Sequence, residues 1–127
     1  MKQIAFIFMT FLFATTYVSA QEAASASIAV AEESFDFGDV KEAGGKISHT
    51  FVVKNDGDAP LVITRVIASC GCTTPDWTKE PIAAGKTGEV IATYDPLGRP
   101  GPFAKTISIY SNGKKGNYVL TIRGNVI

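Results

Sequence analysis

The sequence predicts an all-β fold, an immunoglobulin-like Greek-key β-sandwich of about seven strands. Three observations carry the prediction. Several short runs alternate apolar and polar residues with a period of two. Clusters of Gly, Pro, Asn and Asp punctuate the chain between those runs. Beyond the first twenty residues no stretch shows helical periodicity.

Residues 1–20 read as an export signal. Lys2 supplies a positive start, Ile4 to Val18 is almost wholly apolar, and Val18-Ser19-Ala20 offers small residues before a cut at Gln21. The apolar run is too short and wrongly flanked for a stable membrane span. The alternative is an uncleaved N-terminal anchor. No cysteine stands at the cut, so a lipid anchor is not indicated. Residues 21–27, Gln-Glu-Ala-Ala-Ser-Ala-Ser, are expected to form a flexible lead-in to a domain over 28–127.

Ser34-Phe35-Asp36-Phe37-Gly38 alternates, and Glu42-Ala43-Gly44-Gly45 turns. In Lys46 to Lys54, the side chains of Ile47, His49, Phe51 and Val53 share one face, with Ser48 and Thr50 on the other. Asn55 to Pro60 is a turn. Leu61 to Ala68 is a β-branched strand that ends at Cys70-Gly71-Cys72. Pro75-Asp76-Trp77 and Pro81 mark an irregular stretch. Gly88 to Tyr94, Phe103 to Tyr110 and Tyr118 to Val126 complete the strands, separated by the turns at 96–102 and 112–116. The expected core includes Phe35, Phe51, Val53, Ile63, Ile91 and Ile107.

Composition excludes some functions. The 127-residue chain has 12 basic and 12 acidic residues. Removing residues 1–20 takes Lys2 alone, leaving a net charge of about −1. Basic residues are scattered, and only Lys114-Lys115 adjoin, so no nucleic-acid surface is expected. About a hundred residues suffice to bury a core without several disulfides.

The two cysteines, Cys70 and Cys72, flank one glycine. A disulfide there closes too small a loop to restrict the unfolded chain much. The pair is either local architecture or chemistry: a bond open to exchange, or a dithiol for a soft metal. Export would place it in an oxidising compartment.

The run Ala68-Ser69-Cys70-Gly71-Cys72-Thr73-Thr74-Pro75-Asp76-Trp77 resembles the signature of a family of small bacterial exported proteins known as a domain of unknown function. Phe37-Gly38, His49-Thr50-Phe51, Lys54 to Gly57, Ala59 to Ile63, Ile82 to Gly88, Tyr94-Asp95-Pro96, Gly101 to Ile109 and Ser111-Asn112 match it too. The resemblance covers about residues 33–127. It implies an immunoglobulin-like sandwich similar to major sperm protein and Hydin-type domains, and it implies no reaction. Ala84-Gly85 departs from the family's frequent Pro-Gly, which alters turn stiffness and leaves the cysteines untouched.

Catalytic patterns are sparse. There is one histidine, no Gly-x-Ser-x-Gly elbow, and no same-face carboxylate pair. Gly85-Lys86-Thr87 lacks the earlier glycine of a phosphate loop, since Glu80 stands there. His49 is read as a half-buried strand residue; the sharper alternative makes it a third ligand beside Cys70 and Cys72 for Cu(I). Thr73 belongs to the same motif. Trp77 is read as edge packing, with a recognition surface as the alternative. Arg99 is read as solvated or carbonyl-capping, and Asn55, Asp56 and Asn112 as turn formers.

The chain is therefore expected to be a periplasmic or extracellular, non-enzymatic binding or structural module without a cofactor, acting on an envelope protein. The alternative is a copper-binding or thiol-redox protein using the Cys-Gly-Cys motif.

Overall fold

A computed structural model describes residues 24–127. The export signal and Gln21 to Ala23 lie outside the described residues. Eight strands form two four-stranded sheets, confirming the immunoglobulin-like sandwich with one more strand than expected. They are β1 (Ile28–Val30), β2 (Ser34–Val40), β3 (Ile47–Asn55), β4 (Ile63–Ala68), β5 (Thr73–Trp77), β6 (Thr87–Tyr94), β7 (Gly101–Ser111) and β8 (Asn117–Val126). One sheet runs β1-β3-β6-β5 and the other β2-β8-β7-β4. A single 3-10 turn, Glu42–Gly44, is the only helical turn among the described residues.

Two strands escape the periodicity. β1 is three residues long, too short to show a period. β5 contains Pro75, which marks an irregular stretch in the sequence, yet β5 is an edge strand bonded on one side to β6, and an edge tolerates proline. The β1–β2 segment passes from one sheet to the other. β2 then runs parallel to β8, with a register shift between Asp36 and Asp39. Gly38 takes φ 68° inside that shift, a conformation that favours glycine.

The core lies between the sheets. Phe51, Val53, Ile63 and Ile107 are buried as expected. Two expectations need correction. Ile91 is half-buried and turned outward between Thr50 and Asp76, while Val90, Ala92 and Tyr94 point inward. Val90, Ile91 and Ala92 are consecutive apolar residues, so the sequence does not fix the phase; the pairing of Phe51 with Val90 does. Phe35 is half-buried and packs against the core's margin.

Ser25 to Ser27, expected within a flexible lead-in, are docked. Asp58 N–H donates to Ser25 O, Asp56 N–H to Ser27 O and Lys114 N–H to Ala26 O, and Ala26 is buried. Gly57 permits this approach: a Cβ there would stand 2.2 Å from Ser25 O. Asn55, expected as a turn former, is fully buried at the end of β3. Its Nδ2 donates to Ala59 O and Ile82 O at 2.7 and 2.9 Å, and its Oδ1 accepts from Gly57 N–H and Ser27 N–H. That amide ties the turn after β3 to two other segments, at Ser27 and Ile82. Asn112 does similar work nearby, accepting from Val62 N–H and donating to Pro60 O.

Candidate functional site

Cys70-Gly71-Cys72 forms the turn by which the chain leaves β4 and enters β5, crossing between sheets. Its backbone is held on each side. Ser69 N–H donates to Thr106 O at 2.9 Å, and Ser69 Oγ accepts from Thr106 N–H at 3.1 Å, extending the β4–β7 ladder. Thr73 N–H closes the turn onto Cys70 O at 3.2 Å, and Asp95 N–H donates to Cys72 O at 3.0 Å. These bonds fix the turn without help from the sulfurs.

Cys70 and Cys72 are joined as a disulfide, with Cα atoms 5.3 Å apart, inside the span that disulfides ordinarily bridge. The two sulfurs have different surroundings. Cys72 is 5% exposed and belongs to the core; Cys70 is half-buried at its margin. Cys72 N–H donates to Cys70 Sγ at 3.1 Å. Thr73 is buried, and its Oγ1 stands 3.9 Å from Cys72 Sγ, a weak sulfur contact. Beneath the turn Tyr94, paired with Thr73 in the sheet, stacks on Phe103 with ring centres 4.0 Å apart.

Gly71 is exposed and does not adopt a left-handed conformation, and a Cβ added to it would meet nothing within 4 Å. Neither sterics nor torsion demands glycine here. Its effect is to leave the solvent side of the turn uncovered.

The other sequence candidates are placed elsewhere. His49 packs among aromatic rings: it stacks on Phe35 at 3.6 Å between centres and lies perpendicular to Phe51 at 4.7 Å. Its Nε2 donates to Glu32 Oε1 at 2.8 Å. One face and one nitrogen of the imidazole are thus engaged, and among the described residues no three His, Cys, Asp or Glu side chains gather as a metal ion would require. His49 is not brought to the cysteines. Glu32 is the partner that sequence reasoning missed, and nothing in its local pattern announces a contact seventeen residues away.

Trp77 ends β5, half-buried against the core, with the Lys79 ammonium over its ring. Arg99 caps a carbonyl, its Nη1 donating to Leu97 O at 2.9 Å. A depression of about 380 Å³ beside the β2 register shift is lined by Asp36, Asp39, Phe103 and Arg123, with neither cysteine nor histidine. No helix among the described residues is long and apolar enough to cross a membrane.

Two packed antiparallel-rich sheets, an N-terminal segment that passes from one (β1) to the other (β2), and a parallel β2–β8 pair define an immunoglobulin-like domain. The chain belongs to the family described as protein of unknown function DUF1573, whose model matches residues 28–126. Among solved structures it is similar to a protein of unknown function from Porphyromonas gingivalis W83, with a TM-score of 0.70 and 18% identity, over 86% of this chain and 51% of that one. The present chain therefore spans about half the length of that protein. It is similar also to the ASH/PapD-like domain 7 of human CEP192, with a TM-score of 0.65 and 12% identity, over 81% and 87% of the two chains. A third likeness is to the VesB protease of Vibrio cholerae, with a TM-score of 0.58 and 18% identity, over 80% of this chain and 31% of that one. At such identities the likeness concerns the fold alone. No curated protein matches the chain.

Proposed function

We propose that the protein is an exported, non-enzymatic immunoglobulin-like module that binds an envelope protein by strand addition at β4. The apolar sequence of residues 4–18, followed by small residues at 18–20, supports export to the periplasm or beyond.

The state of the four sheet edges carries the reading. β1 has three residues, β2 is broken by its register shift and bears Asp36 and Asp39, and β5 contains Pro75; each is a poor template for another strand. β4 has six residues, no proline and no acid, and pairs only with β7; its own register shift lies at its start, between Ile63 and Arg65, and the pairing is regular from Arg65 to Ala68. Since Ser69 N–H bonds Thr106 O, alternation turns the N–H groups of Val66 and Ala68 toward the free side. Beside them Ile67 is 45% exposed. An unblocked edge with an exposed apolar side chain suits an extended segment of another protein.

Photo-crosslinking in envelope extracts tests this. A crosslinker in place of Ile67 is expected to capture a discrete partner, one at Asp36 is not, and Ala68→Pro is expected to abolish capture while leaving the circular dichroism unchanged. Capture that is equal from both positions, or indifferent to Ala68→Pro, would overturn the assignment.

A further inference from the structure

The disulfide that closes the β4–β5 turn has one accessible end. A thiolate attacks a disulfide by approaching one sulfur, with the other departing as thiolate, so the outcome depends on which sulfur is reachable and which leaves well. Cys72 is buried among core residues and is closed to such an approach. Cys70 lies at the margin, next to exposed Gly71 and the open space beside it. The polar contacts match this division. Cys72 N–H, 3.1 Å from Cys70 Sγ, favours negative charge on the outer sulfur, which serves the step in which Cys70 departs as thiolate or attacks as one. The buried Thr73 hydroxyl, 3.9 Å from Cys72 Sγ, faces the inner sulfur where a leaving thiolate would form. The turn's backbone bonds to Thr106 and Asp95 do not involve either sulfur, so the bond can open with the turn in place.

We propose that Cys70–Cys72 is a thiol–disulfide exchange site, entered at Cys70 and resolved by Cys72, whose partner is a cysteine thiol of a polypeptide. A partner thiolate attacks Cys70 Sγ; the electron pair of the Cys70–Cys72 bond leaves on Cys72 Sγ, which takes a proton from solvent, and a mixed disulfide joins the partner to Cys70. A second thiolate of the partner attacks its own sulfur in that mixed disulfide, and Cys70 departs as thiolate and is protonated in turn. The partner's two thiols lose two electrons and two protons to become a disulfide, and the protein gains them as two thiols. In the reverse direction the Cys70 thiolate attacks a partner disulfide and Cys72 displaces the partner. This chemistry goes beyond strand addition at β4 and does not depend on it.

The test uses the purified oxidised protein. It is mixed under native conditions with a reduced two-cysteine peptide and, separately, with glutathione, then quenched by alkylation and weighed by mass spectrometry. The peptide is expected to become oxidised while Cys70 and Cys72 become alkylated, with no transfer from the Cys70→Ser/Cys72→Ser protein. Offered the same peptide in its disulfide form, Cys72→Ser is expected to trap a peptide mixed disulfide on Cys70, with the peptide's second sulfur leaving as thiol, at least about tenfold faster than Cys70→Ser traps one on Cys72. Circular dichroism of each variant confirms that the fold persists. A disulfide that exchanges only in denaturant, or equal trapping by the two single variants, would overturn the proposal. Exchange with glutathione and none with the peptide would overturn the assignment of a polypeptide partner.

Discussion

Glu32 and Glu33 are adjacent in the chain and hold opposite sheets. Glu32 Oε1 accepts from His49 Nε2 of β3 at 2.8 Å, and Glu33 accepts the hydroxyl of Tyr118 of β8. The dipeptide lies between β1 and β2, where the chain changes sheets, so successive carboxylates lock the crossing from both sides.

Tyr118 gives that lock a pH signature. Its pKa is pushed up to about 12, chiefly by the hydrogen bond to Glu33, then by burial and by the Glu33 charge. The folded value stands above the ordinary 10.0, so the contribution to stability is complete below pH 10 and is lost as pH rises towards 12. Phenolate absorbance of wild type minus Tyr118→Phe is expected to show a midpoint well above 10.0, and Glu33→Gln should lower it. A midpoint at the ordinary value would refute the lock.

Asn55→Ala is expected to cost about 2–4 kcal/mol in denaturant unfolding, because it removes the donor to the half-buried Ala59 carbonyl and the acceptor of the Gly57 and Ser27 N–H groups, while Ile82 O keeps only Leu61 N–H. Asn55→Asp should not restore full stability, since it keeps the acceptor and removes the donor. A loss below about 0.5 kcal/mol would show that water replaces the amide.

Two glycines should respond oppositely to alanine. Gly57→Ala forces a Cβ to 2.2 Å from Ser25 O and 2.7 Å from Ser27 N, so it should expel the docked Ser25–Ser27 segment and speed amide exchange at Asp56 and Asp58. Gly71→Ala meets open space at an ordinary φ and should leave the melting temperature nearly unchanged. Equal destabilisation by the two would contradict the packing described.

Replacing both cysteines by serine is expected to cost about 0–2 kcal/mol, since the closed loop is minimal and the turn keeps its backbone bonds. Thermal melts of the two proteins decide it. Failure of the variant to fold would make the pair a structural anchor.

Strand periodicity made most of the sandwich legible. The alternation in β3 assigned Ile47, His49, Phe51 and Val53 to the inner face correctly, because one face of that strand is buried and the other is wet. The same rule could not set the phase of β6, where Val90, Ile91 and Ala92 are all apolar, nor detect a three-residue β1. The cysteine turn announced itself by composition. The difference between its two sulfurs did not, because burial of Cys72 and exposure beside Cys70 arise from strands distant in sequence. Asn55 reads locally as a turn residue, and its partners at Ser27 and Ile82 become visible only in three dimensions.

The bonds that pin Ser25 to Asp58 also orient the molecule. They sit where β3 ends at Asn55, while the Cys70–Cys72 turn leads into Thr73, which pairs with Tyr94 opposite Ile47 at the strand's beginning. Nine residues of β3 separate those poles, about 27 Å along the sheet. A tether attached ahead of Ser25 would hold the domain by one pole and point the sulfurs outward from the other, so a surface-immobilised protein would present Cys70 to its surroundings when coupled by that end.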